Sequence, residues 1–325
     1  MDENTVVKIA ETGTRVRENV EKVVVGKGEV VELAVVALLC EGHILLEDVP
    51  GIGKTVLAKS LARSLNCDFK RIQCTPDLLP SDVTGSYIYN QKTSEFDFRP
   101  GPIIAQLVLV DEINRATPRT QSALLEAMQE YQVTAEGETK LLPRPFMVMA
   151  TQNPIELEGT FPLPEAQLDR FLVNVKMGYP TQEDDRIILD RFRRHDPLED
   201  LMPVIDAEEL LEMQHACRDI HVTSDIEDYI IRLIHATREQ ETVQLGASPR
   251  AMLALYRASQ ALAAVRGRSF VIPDDIKYLA PAVLRHRIIS RIESHIRGQK
   301  SGDTLQEIIS SVFVPVEQEN ATGGA

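Results

Sequence analysis

Residues 43–65 constrain this chain more than any other stretch, and they read His-Ile-Leu-Leu-Glu-Asp-Val-Pro-Gly-Ile-Gly-Lys-Thr-Val-Leu-Ala-Lys-Ser-Leu-Ala-Arg-Ser-Leu. The apolar run 44–46 has the character of a buried strand, while Val56, Leu57, Leu61 and Leu65 recur at helical spacing. The intervening Pro50, Gly51, Ile52 and Gly53 must therefore form the turn between a strand and a helix. Gly51 and Gly53 let backbone N–H groups curl around an anion, the helix that follows aims its positive end at the same point, and Lys54 adds a full charge. Thr55 supplies the hydroxyl that a phosphate-bound Mg²⁺ needs, so the stretch from Pro50 to Val56 is expected to bind a polyphosphate. The strict form of this P-loop has glycine six residues before the lysine, where this chain has Asp48. A strand-to-helix turn with an incidental lysine is the alternative.

A second element strengthens the phosphate reading. The buried-strand run 107–110 ends in Asp111 and Glu112, and two carboxylates at such a tip suit a P-loop fold: one for the Mg²⁺ shell, the next for orienting water. A further apolar strand, 146–149, leads to Asn153, which would stand level with Glu112 if the two strands were parallel neighbours. Strands are also expected at 69–74 and 171–175, making an open α/β sheet. Two hairpins interrupt it, one carrying Tyr87, Tyr89, Phe96 and Phe98, the other turning at Glu136-Gly137-Glu138. The aromatic hairpin either meets a partner or stacks structurally.

Helices are expected at 1–22 and 29–40, and again at 121–130. The turn at Gly26 either sits beside a nucleotide's base or simply starts the second helix. Beyond Pro180 the strand signals fade: a linker with Pro197 and Pro203 precedes helices at 206–217, 224–239, 249–265 and 273–280, and a short one near 303–312. Ser248-Pro249 is a cap and first-turn proline that fixes Arg250 in direction. The expected divisions are a core with its N-terminal helix at 1–195, a helical unit at 196–315 and a disordered tail at 316–325.

Composition narrows the partners. The formal charge of −14 argues against a surface built to coat nucleic acid. No apolar run is long enough for a membrane span, and the acidic N-terminus lacks signal-peptide character, which points to the cytoplasm. The four cysteines show no metal-ligand spacing and are expected to be reduced.

The ordered set Gly-Ile-Gly-Lys-Thr, Val-Asp-Glu-Ile-Asn-Arg, Ala-Thr-Gln-Asn-Pro, Leu-Asp-Arg-Phe and Gly-Ala-Ser-Pro-Arg-Ala resembles the MoxR family of AAA+ ATPases over about residues 20–290. The resemblance implies a parallel sheet sandwiched by helices with β-hairpin inserts, and a C-terminal all-α lid. It makes the Asp48 form of the loop a family variant. It also implies that Asn153 is similar to sensor 1, Arg170 to an arginine finger and Arg250 to sensor 2, with Arg119 as the rival finger and Arg115 able to fill either role. The cofactors implied are ATP and Mg²⁺, the latter on Thr55 and Asp111. The assembly implied is a homo-oligomer, a hexameric ring with nucleotide at the seams, partnered by a von Willebrand factor A domain protein and acting on a client in maturation or metal cofactor insertion. A nucleic-acid motor and a chelatase motor subunit are the alternatives.

Overall fold

The computed structural model describes residues 3–153, 159–291 and 301–315. Helices α1 (Glu3–Glu21) and α2 (Gly28–Leu39) lead into β1 (Ile44–Glu47), α3 (Lys54–Ser64), β2 (Phe69–Gln73) and the short α4 (Pro80–Thr84). The first hairpin is β3 (Gly85–Asn90) with β4 (Glu95–Pro100); β5 (Leu107–Asp111), a 3₁₀ turn and α5 (Pro118–Glu130) follow. The second hairpin is β6 (Gln132–Ala135) with β7 (Glu138–Leu141), after which come β8 (Met147–Gln152), α6 (Glu165–Leu168), β9 (Val173–Val175) and α7 (Gln182–Arg191).

The central sheet is parallel and ordered β2-β5-β8-β1-β9. Its inner strands β1, β5 and β8 read as near-continuous apolar runs because both faces are covered, yet alternation still sorts the side chains. Ile44, Leu46, Leu107, Leu109, Met147 and Met149 face the cluster formed with α1, α2 and α3. Leu45, Ile72, Val108, Val110, Val148 and Ala150 face the opposite cluster with Leu124, Leu125 and Met128 of α5. A one-residue slip of any inner strand would exchange its two faces, so burial on both sides holds the register that lines up the functional strand tips.

The lid consists of α8 (Ala207–Cys217), α9 (Ser224–Glu239), α10 (Pro249–Val265), α11 (Pro273–Leu284) and a closing helix, Ser301–Ser311. Its apolar residues merge with those around α1 to α3 in a single cluster, so lid and core share one interior. The expected linker at 196–205 is irregular but strapped down: Val204 N–H donates to the Ser64 carbonyl (2.9 Å), and Asn19 Nδ2 donates to the Met202 carbonyl (2.9 Å) and to Ser64 Oγ (3.0 Å). Among the described residues, no helix is long and apolar enough to cross a membrane. The expected tail at 316–325 and the segment just after Asn153 lie outside the described residues.

Three local expectations shift. The strand expected from Phe171 begins at Val173, because Leu172 N–H already bonds the His43 carbonyl (2.8 Å) as the chain enters the sheet edge. Helix α11 runs through Pro281 to Leu284, since Val283 and Leu284 are fully buried and their packing outweighs the lost backbone bond. The lid also carries a small antiparallel ribbon, β10 (Val243–Leu245) with β11 (Ile289–Ser290), too short to leave a readable alternation.

The hairpins touch one another. Tyr87 and Phe98 are cross-strand partners with ring centroids 5.3 Å apart; Lys140 of β7 lies 5.6 and 5.4 Å above their rings, and Tyr87 donates to Glu138. Tyr89 and Phe96, the next pair, are 51% and 67% exposed. The aromatic hairpin thus divides its pairs: one joins the hairpins and the other faces outward.

A buried histidine gives the fold a pH signature. His43 Nδ1 accepts the Val148 N–H (3.0 Å) and Nε2 donates to the Met128 carbonyl (2.8 Å), an arrangement only the neutral ring can make. Burial pushes its pKa down to about 4. The unfolded chain takes up this proton below about pH 6.5 while the folded chain refuses it, so stability is full above that value and falls as pH drops toward 4. The loss from this residue is roughly 3 kcal/mol. His43→Gln is expected to flatten the acid limb of Tm between those values relative to wild type; parallel limbs would remove His43 as the cause.

Candidate active site

The phosphate loop leaves the C-terminal edge of β1 and enters α3. Gly51 and Gly53 have φ of +86° and +92°, left-handed values that favour glycine, and a Cβ at either would meet nothing within 4 Å. Conformation, not crowding, demands glycine, and the space over the loop stays open. Gly53 is the N-cap of α3 without a side-chain cap, so first-turn N–H groups and the positive helix end are left for an anion. Asp48 occupies the position where the strict motif has glycine, and its backbone needs no positive φ. Its carboxylate accepts from Gly178 N–H (2.6 Å) and Val49 N–H (2.9 Å), pinning the base of the loop to the segment after β9. The departure from the motif is a brace.

Lys54 reaches back to the Asp48 carbonyl (2.6 Å), and burial lowers its pKa against the opposing pull of Asp48, Asp111 and Glu112. With Thr55, Asp111, Glu112 and Asn153 it lines a cavity of about 350 Å³. Asp111 ends β5 and Asn153 follows β8, its neighbour in the sheet, which brings both to one edge. Glu112 takes a left-handed backbone (φ +55°), uncommon outside glycine, as the chain turns off the strand.

The same cavity contains residues that sequence reasoning did not single out. Thr151 Oγ1 accepts the Glu112 N–H (2.9 Å) and donates to Asp111 Oδ1 (3.2 Å), fastening both acids to β8. From β2, Arg71 Nε donates to Asp111 Oδ2 (2.6 Å) and Gln73 Nε2 to Glu112 Oε2 (3.2 Å). Arg115 also reaches Glu112 Oε2 (3.3 Å). The signal available for Arg71 and Gln73 was their alternation at the end of a strand, which acquires meaning only once β2 is known to flank β5.

A second cavity, about 420 Å³, continues from the other side of the loop. Ile52 and Val56 share it with Val23, Val24, Val25, Met177 and Phe192, so its walls are largely apolar. Gly26 itself (φ +69°) lies against Asp184, whose carboxylate a Cβ there would strike. Its neighbours Val25 and Lys27, on either side, reach the cavity.

Arg170 and Arg250 stand elsewhere. Both line a cavity of about 370 Å³ together with Gly42 and His43, which precede β1, and Met128 near the end of α5. That is the opposite edge of the sheet from the phosphate loop. Asp169 bonds Arg287 (2.7 Å) and accepts from Ser248 Oγ (2.9 Å). Arg287 is buried and also donates to the carbonyls of Asp169, Phe171 and Leu172 (3.1, 2.7 and 3.1 Å), which fixes the turn bearing Arg170. Arg170 Nε is buried with no bonding partner, and burial, then the nearby Arg250, lowers its pKa. Arg119, in the first turn of α5, is exposed.

Comparison with known proteins places these features in context. Residues 43–173 match the model of the ATPase family associated with various cellular activities (AAA), and residues 235–308 match an AAA lid domain. An uncharacterized protein of Bacillus subtilis, YeaC, is 51% identical over 301 residues, covering 93% of this chain and 94% of its own length. Chaperone MoxR1 of Mycobacterium tuberculosis is 46% identical over 305 residues, covering 91% and 80%. A crystal structure of a candidate ATPase from Cytophaga hutchinsonii superposes with a TM-score of 0.90 at 37% identity, covering 97% of this chain and 98% of that one.

Proposed function

Because this chain belongs to the MoxR family of AAA+ ATPases, we propose that it hydrolyses ATP with Mg²⁺ at the seams of a hexameric homo-oligomeric ring in the cytoplasm, and that the cycle remodels a protein partner. A von Willebrand factor A domain protein is the companion, and maturation of a client, including metal cofactor insertion, is the outcome. The observation that carries the reading is the convergence of Lys54, Thr55, Asp111, Glu112 and Asn153 on one cavity at one sheet edge.

In this reading the loop N–H groups and Lys54 hold the β- and γ-phosphates. Thr55 and Asp111 offer a hydroxyl and a carboxylate oxygen, a donor set that suits Mg²⁺ completed by phosphates and water. Mg²⁺, when bound, neutralises phosphate charge and fixes the oxygens for in-line attack. Glu112 polarises the attacking water and Asn153 helps place it. The apolar cavity beside the loop takes the base, with Ile52 and Val56 beneath it and the Gly26 turn keeping Val25 and Lys27 at its rim. Arg170 and Arg250, at the far edge, serve the nucleotide of the adjoining subunit, whose phosphate charge would meet the unpaired Arg170 Nε. The outward pair Tyr89 and Phe96 is a candidate contact for the client.

The partner claim is tested by capture from the native cell. Glu112→Gln chain held with ATP is expected to retain a von Willebrand factor A domain protein that Lys54→Ala chain does not. Equal recovery on both, or nucleic acid recovered in its place with salt-sensitive binding, would contradict it.

A further inference from the structure

Both carboxylate oxygens of Asp111 accept from protein donors. Thr151 Oγ1 donates to Oδ1 at 3.2 Å, and Arg71 Nε donates to Oδ2 at 2.6 Å. Arg71 comes from β2, the edge strand of the described sheet, where it pairs in register with Leu109, two residues before Asp111. Its Nη2 also donates to Gln73 Oε1 (2.9 Å), which steadies the guanidinium against the site. The Asp111 side chain is 12% exposed, whereas that of Arg71 is 50% exposed. A carboxylate oxygen can be shared between a guanidinium and a divalent cation only at the cost of bringing the two positive charges together. Of the two partners on Asp111, the hydroxyl is neutral and buried with the strands, while the arginine is cationic and half in water. The arginine is the one that can leave.

We propose that Arg71 is a counter-ion that competes with Mg²⁺ for Asp111, holding the carboxylate in place when no metal is bound and yielding when the metal binds. This rests on the reading of Asp111 as a Mg²⁺ ligand and adds a regulatory consequence: the arginine sets how much Mg²⁺ is needed before nucleotide binds tightly. A half-exposed ion pair is a weak competitor, which keeps the exchange reversible. It also keeps Asp111 from lying uncompensated in a low-dielectric cleft between turnovers.

The test is the Kd of a fluorescent ADP analogue for the full chain, titrated from EDTA to millimolar Mg²⁺, in wild type, Arg71→Met and Arg71→Lys. The Mg²⁺ midpoint is expected to fall by about three- to tenfold in Arg71→Met, with Arg71→Lys nearer wild type. Affinity in EDTA is measured for all three chains as the reference for the midpoint shift. An unshifted midpoint would overturn the proposal. Absence of any Mg²⁺ dependence in wild type is a different failure, since it removes the metal role of Asp111 itself. Arg71 lies half exposed on an edge strand, so the variants retain the core; a melting curve without nucleotide checks this.

Discussion

Lys54→Ala is expected to abolish nucleotide binding, whereas Glu112→Gln is expected to keep binding and slow ATP turnover by about 10²-fold or more. The two residues line one cavity but meet different parts of the reaction. Lys54 extends from the first position of α3, beside Gly53, and its charge has no substitute among the loop's groups. Each charge-assisted bond it makes to phosphate contributes about 1.5–3 kcal/mol. Glu112 stands one residue beyond the β5 tip, and in the proposed reading it acts on the attacking water instead of holding phosphate. Glutamine keeps its size and can still accept from Gln73 and Arg115, and it tolerates the left-handed backbone no worse than glutamate does. Binding is read from titration of a fluorescent nucleotide and turnover from phosphate release. Equal turnover in wild type and Glu112→Gln would strip Glu112 of its role.

Arg170→Ala is expected to lower turnover by about 10³-fold while leaving nucleotide affinity and melting temperature close to wild type. Affinity survives because Arg170 lies at the sheet edge away from its own phosphate loop. Stability survives because the turn is held by Arg287 and Ser248 acting on Asp169, none of which changes. Arg170 makes no bond through its buried Nε, so its removal forfeits no hydrogen bond there. A loss of turnover accompanied by a large fall in Tm would assign Arg170 a structural role.

Much of this site was legible because strand tips announce themselves. An apolar run that stops at Asp111-Glu112, and another that stops before Asn153, give both the buried strand and the polar edge, and the parallel order then aligns them. The glycine loop was legible for the same reason: strand, turn and helix periodicities leave only one conformation between them. What stayed hidden depends on which strands are neighbours. Arg71 and Gln73 read as the solvent side of a strand until β2 lies against β5, and Thr151 reads as an ordinary strand residue until its hydroxyl sits between two acids. Arg170 and Arg250 are far apart in sequence, and their meeting beside Asp169 follows from how the lid docks on the core. The aromatic hairpin was visible from its alternation, but the division between a joined pair and an outward pair needed the second hairpin beside it. Pro281 misled because a proline in a helical pattern usually marks an end, and here buried packing on the next turn carries the helix on.

The central claim is that one chain holds only part of a catalytic site. The direct measurement mixes two inactive chains, Lys54→Ala and Arg170→Ala, and follows phosphate release per subunit across dilution. Seams that join an intact loop from one chain to an intact arginine from the other should restore part of the wild-type rate, and that rate should decline on dilution as rings come apart. If the mixture stays inactive while wild type keeps a constant rate per subunit down to the monomer, the site is complete within one chain and the account is wrong.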